Sequence, residues 1–413
     1  MLHLRFTSAQ GRDFSMLFLV VVGSFAVSFL LACAINWLAL LPWRRASAAG
    51  AHWTERARLL WPVLRMNAYQ PLNFFGLAVL GLELMGAPWS GRWVVGGLGA
   101  WLGATLAQYF ITRETRPGNG FGPWVRFLIF FMLMHTIFFG ILIGAMIIMP
   151  ADFGGETWLL AGGVLVFLLA NIFGLHRLIL RLAGLTKPAP PALDEMAARA
   201  ARATGAVLHK VWIYEHSTAF AGAFPTTREM MFSTGLVERL SPEETEAICF
   251  HEAAHLTESN PQVAMRVLMA LALYPLIFVR PMVAAHGLGG LVSLYLVFII
   301  PVILYPKFSR KMEKRADQQA IQQASNPAIY ARALEKLSEI NQTPVVLPRK
   351  GGRTHPDTYD RMLSSGYTPN YARPGAPARF SWPVYLEWAL ILVLFIVVHS
   401  KGDAGDLLSS LGL

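Results

Sequence analysis

Ser241-Pro242-Glu243-Glu244-Thr245-Glu246-Ala247-Ile248-Cys249-Phe250-His251-Glu252-Ala253-Ala254-His255 is the stretch on which the reading of this chain turns. It predicts a helix with a defined start. Ser241 is a natural N-cap, Pro242 suits the first helical position, and Glu244 completes an S-x-x-E capping box. From there the helix runs through His251 and His255 to about Glu258. On a helix the two histidines lie about 40° apart around the axis and about 6 Å apart along it. Two imidazoles so placed can grip one ion. Glu252 lies about 100° round from His251, so its carboxylate can reach a water beside the ion without ligating it. A chance H-E-x-x-H in a chain of this size is on the order of a 1% event. The bland alternative, two histidines filling polar gaps, therefore has to compete with a motif set on a helix that carries its own cap.

The surroundings of this helix are apolar. Of 413 residues, 54% are hydrophobic and only 15% charged, where a soluble protein carries about 25% charged residues. The mean hydropathy is +0.45, which points to a polytopic membrane protein. Apolar runs predict about eight spans, over 16–41, 70–88, 93–112, 125–149, 157–181, 263–279, 287–305 and 383–400. The first run is too long for a signal h-region and is followed by Arg44 and Arg45, so it reads as a retained span. The net charge of +10 does not predict nucleic acid as a partner, because the basic residues cluster in short loops beside spans. Arg44, Arg45, Arg56, Arg58 and Arg65 follow the first span, and Arg113, Arg116 and Arg126 follow the third. The positive-inside rule then places both polar stretches on the cytoplasmic side, with the bilayer itself as a partner. Cys33 and Cys249 fit no disulfide framework and read as small buried residues.

The expected fold is mainly α: a membrane-embedded bundle with a split α+β domain carrying a small β-sheet. The N-terminal transmembrane region covers 1–186. The domain's first part, with the H-E-x-x-H helix, covers 187–262, and a transmembrane hairpin covers 263–306. Its second part covers 307–380, and a C-terminal helix and tail 381–413. In the first part, 193–203 reads as helix, and 207–214, 219–224 and 230–233 read as strands. In the second, the helix leaving the membrane continues through 311–323, and Asn326-Pro327 starts another to about Ile340. Residues 343–354, punctuated by Pro344, Pro348, Gly351 and Gly352, read as loop.

A hydrolytic zinc site needs three protein ligands and one open position. The best third candidate is Glu313, in Glu313-Lys314-Arg315-Ala316-Asp317, 58 residues after His255. Asp317, one turn on, can orient a ligating histidine through its free ring N–H. Taken alone, Glu313 is also readable as one more charge on a basic juxtamembrane face. Glu258 is a weaker rival for the third position. It would sit about 10 Å along a straight helix from His251, and no glycine follows His255 to bend the chain back.

These residues resemble a known group, the membrane zinc metallopeptidases that include the CAAX prenyl endopeptidase of the endoplasmic reticulum and the bacterial heat-shock protease HtpX. The resemblance rests on Leu236–His255, the apolar hairpin, the E-x-x-A-D of Glu313–Asp317, and the H-P…R of His355, Pro356 and Arg361. It covers about residues 190–365. It implies a gluzincin-type site binding one Zn2+ per chain through His251, His255 and Glu313, with Glu252 as catalytic base and Asp317 behind the ligands. His355 or Arg361 would lie near the site and help to hold substrate or oxyanion. An edge strand including Thr218, Ala219, Phe220 and Ala221 would bind the backbone of a protein or peptide substrate. Relatives usually carry Asn where this chain has Thr218. The implied setting is a bacterial inner membrane.

Two rivals remain. An intramembrane, site-2-type metalloprotease would place its motif within a span, whereas this helix starts with Glu243, Glu244 and Glu246 and so begins in water. A transporter or scaffold with a vestigial metal site would explain the ionisable Glu83 and His135 within spans. Transport, however, calls for several such groups converging at mid-depth.

Overall fold

The computed structural model describes residues 8–85, 92–116, 118–324, 326–348 and 355–410. Its helices are α1 (Ser8–Ala39), α2 (Leu41–Ala48), α3 (Trp53–Leu84), α4 (Arg92–Thr115), α5 (Phe121–Ile148), α6 (Gly155–Ile172), α7 (Leu175–Leu182), α8 (Pro191–Thr204), α9 (Thr234–Val237), α10 (Pro242–Leu256), α11 (Asn260–Ala270), α12 (Val279–Gln323), α13 (Pro327–Ile340), α14 (Thr358–Ser364) and α15 (Trp382–Ser410). The strands are β1 (Thr186–Pro188), β2 (Lys210–Tyr214), β3 (Ala221–Phe224) and β4 (Glu229–Ser233). Part of the loop expected over 343–354, from 349 onward, lies outside the described residues.

Among the described residues, six helical segments are long and apolar enough to cross a membrane: Met16–Ala39, Trp93–Thr115, Phe121–Ile148, Gly155–Ile172, Tyr274–Gln323 and Trp382–Ser400. The chain is a multi-pass membrane protein. Of the eight expected runs, two have no such segment of their own. Residues 70–84 are the second half of α3, whose first half carries Arg56, Arg58 and Arg65; residues 86–88 of that run lie outside the described residues. The run 263–279 is divided between α11 and a single 3-10 turn, Tyr274–Phe278. The fifth run is also shorter than expected. Gly174, at φ 128°, ends it in a conformation open to glycine, and the amphipathic α7 with Arg177 and Arg181 begins there.

One compact unit holds residues 1–121, 342–344 and 374–413. In it α4 lies directly on α1. A Cβ at Gly99 or Gly103 would collide with the backbone of Val21 or Phe25, and Ala100, Ala104 and Ala107 are fully buried. This is the small-residue packing that lets membrane helices approach. Between α3 and α15, Asn73 Nδ2 and Gln70 Nε2 donate to the buried Glu387 carboxyl group at 2.6 and 3.3 Å, which satisfies a polar group that lipid could not.

The other unit holds residues 122–341 and 345–373. Its sheet has the order β1-β2-β4-β3, with β2 and β4 parallel and the outer pairs antiparallel. Thus β3 is an edge strand. The three expected strands appear, two of them shortened to 210–214 and 221–224 and the third lengthened by one residue to 229–233. The three-residue β1, which ends in Pro188, leaves too little pattern to read in advance. The sheet packs on α10, which is also covered by α8 and α13. Val211, Ile213, Met230 and Phe232 meet Ala197, Ala200, Ala247, Ile248, Ala253, Leu256, Tyr330 and Leu334 in one core. Each large buried side chain there contributes roughly 1.5–3 kcal/mol. The alanines let α8 and α10 come close, so a larger residue at Ala253 would overpack the contact by about 1–3 kcal/mol.

Between α10 and the return to the core the chain goes out and comes back. Tyr274 Oη donates to Ala161 O at 3.0 Å, and Ile277 packs with Leu142, Met149 and Leu168 around the connection between α5 and α6. Only the returning limb is one long helix. α12 is kinked at Gly287 (φ 55°, ψ −138°) and then runs unbroken to Gln323. About 26 residues of it separate the kink from Glu313, on the order of 39 Å of helix. A single rod thus carries a carboxylate from an apolar span to the buried histidines of α10.

Candidate metal centre

The helix α10 starts as its sequence predicts: Ser241 Oγ accepts from Glu244 N, and Glu244 Oε2 accepts from Ser241 N, at 3.2 and 2.8 Å. Three turns later it presents His251 and His255, both buried, with ring centroids 5.0 Å apart and planes at 82°. α12 brings Glu313 against them. Glu313 Oε2 is 3.5 Å from His251 Nε2, and Glu313 Oε1 is 3.5 Å from His255 Nε2. One ligand atom from each of the three lies within 4.8 Å of the other two.

The donor set fits zinc. Bonds of about 2.0–2.2 Å in tetrahedral array separate neighbouring ligand atoms by roughly 3.3–3.6 Å, close to both His–Glu distances. Two imidazoles and a carboxylate, with a fourth direction left to water or substrate, form a catalytic type of set rather than a closed structural one. Glu313 Oε2 is buried and has no hydrogen bond of acceptable direction, although His355 Nδ1 comes within 2.8 Å. A buried carboxylate oxygen facing imidazole nitrogens without a bond is costly unless a cation completes it.

Behind each imidazole stands a carboxylate, and behind each carboxylate an arginine. His251 Nδ1 is 3.2 Å from Asp317 Oδ1. Asp317 accepts two bonds from Arg361, at 2.9 and 2.6 Å. His255 Nδ1 is 3.0 Å from Glu258 Oε1, and Glu258 accepts two bonds from Arg266, at 2.6 and 2.5 Å. A proton on each Nδ1 leaves each Nε2 lone pair turned toward Glu313, the tautomer a metal requires. Tyr330 tightens the first relay: its Oη donates to Asp317 Oδ1 at 2.6 Å, accepts from Arg361 at 2.8 Å and lies 2.9 Å from His251 Nδ1. Arg315 NH2 donates to Thr257 O at 3.2 Å, pinning α12 to the end of α10 two residues beyond the ligand.

Electrostatics follow from this packing. Burial works against the charged form of His251, but the adjacent Asp317 and Glu313 carboxylates outweigh it and lift the imidazole to about 9. Burial likewise disfavours the Glu258 anion, and the bonds from Arg266 and His255 reverse that, holding it below the usual carboxylate range. The Tyr330 phenol is pushed well up by burial, so it stays a neutral donor.

The remaining sequence-derived candidates divide. Glu252 is buried on α10, and among the described residues no hydrogen bond or ion pair holds its carboxylate. His355 reaches Glu313 from a half-exposed position. Arg361, partly buried, is turned onto Asp317 and Tyr330, so it acts on His251 through them. On the sheet edge, Thr218 N–H donates to His216 Nδ1 at 3.0 Å, Phe220 turns its main chain to β4, and Ala221 opens β3. Ala219 is bonded through its main chain to Asn341. Sequence reasoning passed over Tyr330, Arg266, Arg315 and Asn341, and weighed Glu258 only as a ligand. The i, i+3 spacing of His255 and Glu258 was the available signal for its place here.

Comparison with known proteins agrees with this geometry. Residues 190–364 match Peptidase family M48. The chain is 27% identical over 282 residues to a "Protease HtpX homolog" of Persephonella marina, covering 55% of this chain and 96% of that protein. It is 28% identical over 203 residues to a "Protease HtpX homolog" of Desulfotalea psychrophila, covering 40% and 70%. It is 28% identical over 164 residues to "Protease HtpX" of Legionella pneumophila, covering 36% and 57%. The segment that carries both histidines, Glu313 and their supporting carboxylates, residues 190–364, is the part of the chain that matches peptidase family M48.

Proposed function

We propose that this protein is a membrane-bound zinc endopeptidase that hydrolyses peptide bonds of membrane-associated or misfolded proteins, with its catalytic part on the cytoplasmic side. The observation that carries this reading is the seat of Glu313, 3.5 Å from Nε2 of both His251 and His255. His251, His255 and Glu313 would hold the ion. When bound, zinc supplies Lewis acidity to the scissile carbonyl and lowers the pKa of water at the site.

The chain's own groups do the rest. Glu252, one residue past His251 and not spent on another partner, takes the proton from the attacking water and delivers it to the leaving amine. His355, half-exposed beside Glu313, would donate to the oxygen on which charge develops. Asp317 and Glu258 keep the two imidazoles in one tautomer and orientation. An extended substrate adds to the free edge of β3 through the outward main-chain groups of Ala221 and Ala223. Such pairing reads backbone more than side chain and favours unfolded segments. The positive-inside pattern of the arginine loops supports the cytoplasmic placement.

The test is Glu252→Gln in the full-length protein, purified in detergent and assayed on an unfolded protein substrate. Zinc content should match the wild type, and hydrolysis should fall by at least about 10²-fold, within the range for loss of a general base. Normal cleavage by this variant would remove Glu252 from its role. Cleavage unaffected by chelation would remove the metal from the reaction.

A further inference from the structure

The edge strand proposed to receive substrate is blocked at one end by a side chain of the same protein. Both main-chain groups of Phe220 face β4: its N–H donates to Ser233 Oγ at 2.8 Å, and its C=O accepts from Ser233 N–H at 2.8 Å. Main-chain direction alternates along a strand, so the groups of Ala219 point to the opposite, open side. There the Asn341 carboxamide meets them both. Its Oδ1 accepts from Ala219 N–H at 2.9 Å, and its Nδ2 donates to Ala219 C=O at 2.7 Å. One donor and one acceptor on one residue are what the backbone of an added strand would offer. The side chain therefore stands where one residue of such a strand would pair.

The position of Asn341 is rigid. It follows the last residue of α13 with near-helical backbone angles (φ −83°, ψ −4°), and its N–H is bonded to Leu337 O. α13 is anchored in the core by the fully buried Tyr330 and Ala333. Ala219 is itself buried in that core. A side chain held at both ends by packed structure acts as a fixed boundary rather than as a flap that substrate pushes aside. Beyond it, the same alternation turns the main-chain groups of Ala221 and Ala223 to the edge, and no strand lies past β3 among the described residues.

We propose that Asn341 is a stop for the substrate strand: it takes the pairing groups of Ala219, so that an extended peptide pairs along 221–224 and runs no further in that direction. This rests on the reading that substrate adds to β3. The consequence is a specificity rule. The enzyme gains affinity from added substrate residues on one side of the cleaved bond and gains nothing on the other, where the peptide meets Asn341.

The experiment uses the full-length zinc-loaded enzyme and two peptide series, one lengthened residue by residue toward its N-terminus and one toward its C-terminus. In the wild type, KM should fall with length in one series only. In Asn341→Ala, the silent series should begin to respond, with KM roughly five- to tenfold lower for the longer peptides, as two freed backbone groups find partners. The kcat values and the already responsive series should not change. Asn341→Asp, which cannot donate to Ala219 C=O, carries the test if the alanine variant loses its zinc. If the wild type responds on one side and both variants keep the same limit, the stop is wrong while strand addition stands. If kcat rises for every peptide regardless of length, Asn341 is a displaceable latch and the stop is again wrong. If the wild type is indifferent to length on both sides, strand addition itself fails and the stop with it.

Discussion

The carboxylate of Glu258 stands 3.0 Å from Nδ1 of His255, three residues on along the chain, and is held there by Arg266. It does for the second histidine what Asp317, arriving 59 residues later, does for the first. A carboxylate that receives the Nδ1 proton fixes the ring's orientation and strengthens Nε2 as a ligand. Glu258→Gln should therefore weaken zinc binding by about 10- to 100-fold, with little effect on folding. Asp317→Asn should do the same through His251. Competition against a chelator of known affinity measures both. An unchanged zinc affinity in Glu258→Gln would reduce the Glu258–Arg266 pair to a structural clamp.

Tyr330 joins three groups that would otherwise be under-satisfied. In Tyr330→Phe the ring still fills its place in the core, but Asp317 loses a donor and Arg361 an acceptor. Losing buried hydrogen bonds to charged partners costs roughly 1.5–3 kcal/mol. The expected result is a lower unfolding midpoint with zinc still bound, and a smaller loss of zinc affinity than in Asp317→Asn. Equal losses in the two variants would mean that Tyr330, rather than Asp317, is the partner of His251 Nδ1.

How much of this was legible in the sequence depended on range. The capping box of Ser241 and Glu244 and the histidine pair are local, and they formed as spacing dictates. Glu313 is distant, and its place beside the histidines was readable only because it came paired with Asp317 in a helix leaving the membrane. Tyr330 and Asn341 carry no such pattern: each matters through a contact that tertiary packing creates, 79 and 122 residues away from its partner. The spans were less legible, because a run of apolar residues looks the same whether its helix continues or breaks. Gly174 ends α6 early, and the run 263–279 fractures at Tyr274–Phe278. Arg361 was placed near the site but not on its task, since a charge next to a carboxylate and a phenol cannot be told from one facing substrate by sequence alone.

Proton and metal compete for His251, and the direction can be worked out. With its imidazole lifted to about 9 from an ordinary 6.5, the zinc-free protein is stabilised by holding this proton. That stabilisation is complete below about pH 6.5 and lost as pH rises through about 9. Zinc needs the neutral ring, so binding must expel the proton. At a fixed, buffered free-zinc concentration, the rise in unfolding midpoint that zinc produces should grow steadily from pH 6.5 to pH 9. For this one group, zinc affinity should improve by up to about tenfold per pH unit over that range. Thermal unfolding of the zinc-free and zinc-buffered protein at matched pH measures it, and a difference that stays flat across the window would show that His251 is already neutral.

The kink in α12 gives a prediction about the membrane part that leaves the metal site alone. Gly287 sits at φ 55°, ψ −138°, a region that essentially only glycine occupies, and an L-residue held there is strained by about 1–3 kcal/mol. Nothing lies within 4 Å of where a Cβ would stand, so Gly287→Ala isolates backbone strain from packing. A Cβ at Gly290, three residues on, would instead strike the backbone of Met282, so Gly290→Ala adds a steric clash. Gly287→Ala should lower the unfolding midpoint while zinc affinity stays at the wild-type value, because Glu313 is set by α12's contacts with α10 and by Arg315 on Thr257. Gly290→Ala should be the more destabilising of the two. If Gly287→Ala instead released zinc at full stability, the kink would be coupled to the ligand through the rod of α12, and the register of Glu313 would be set from the membrane side.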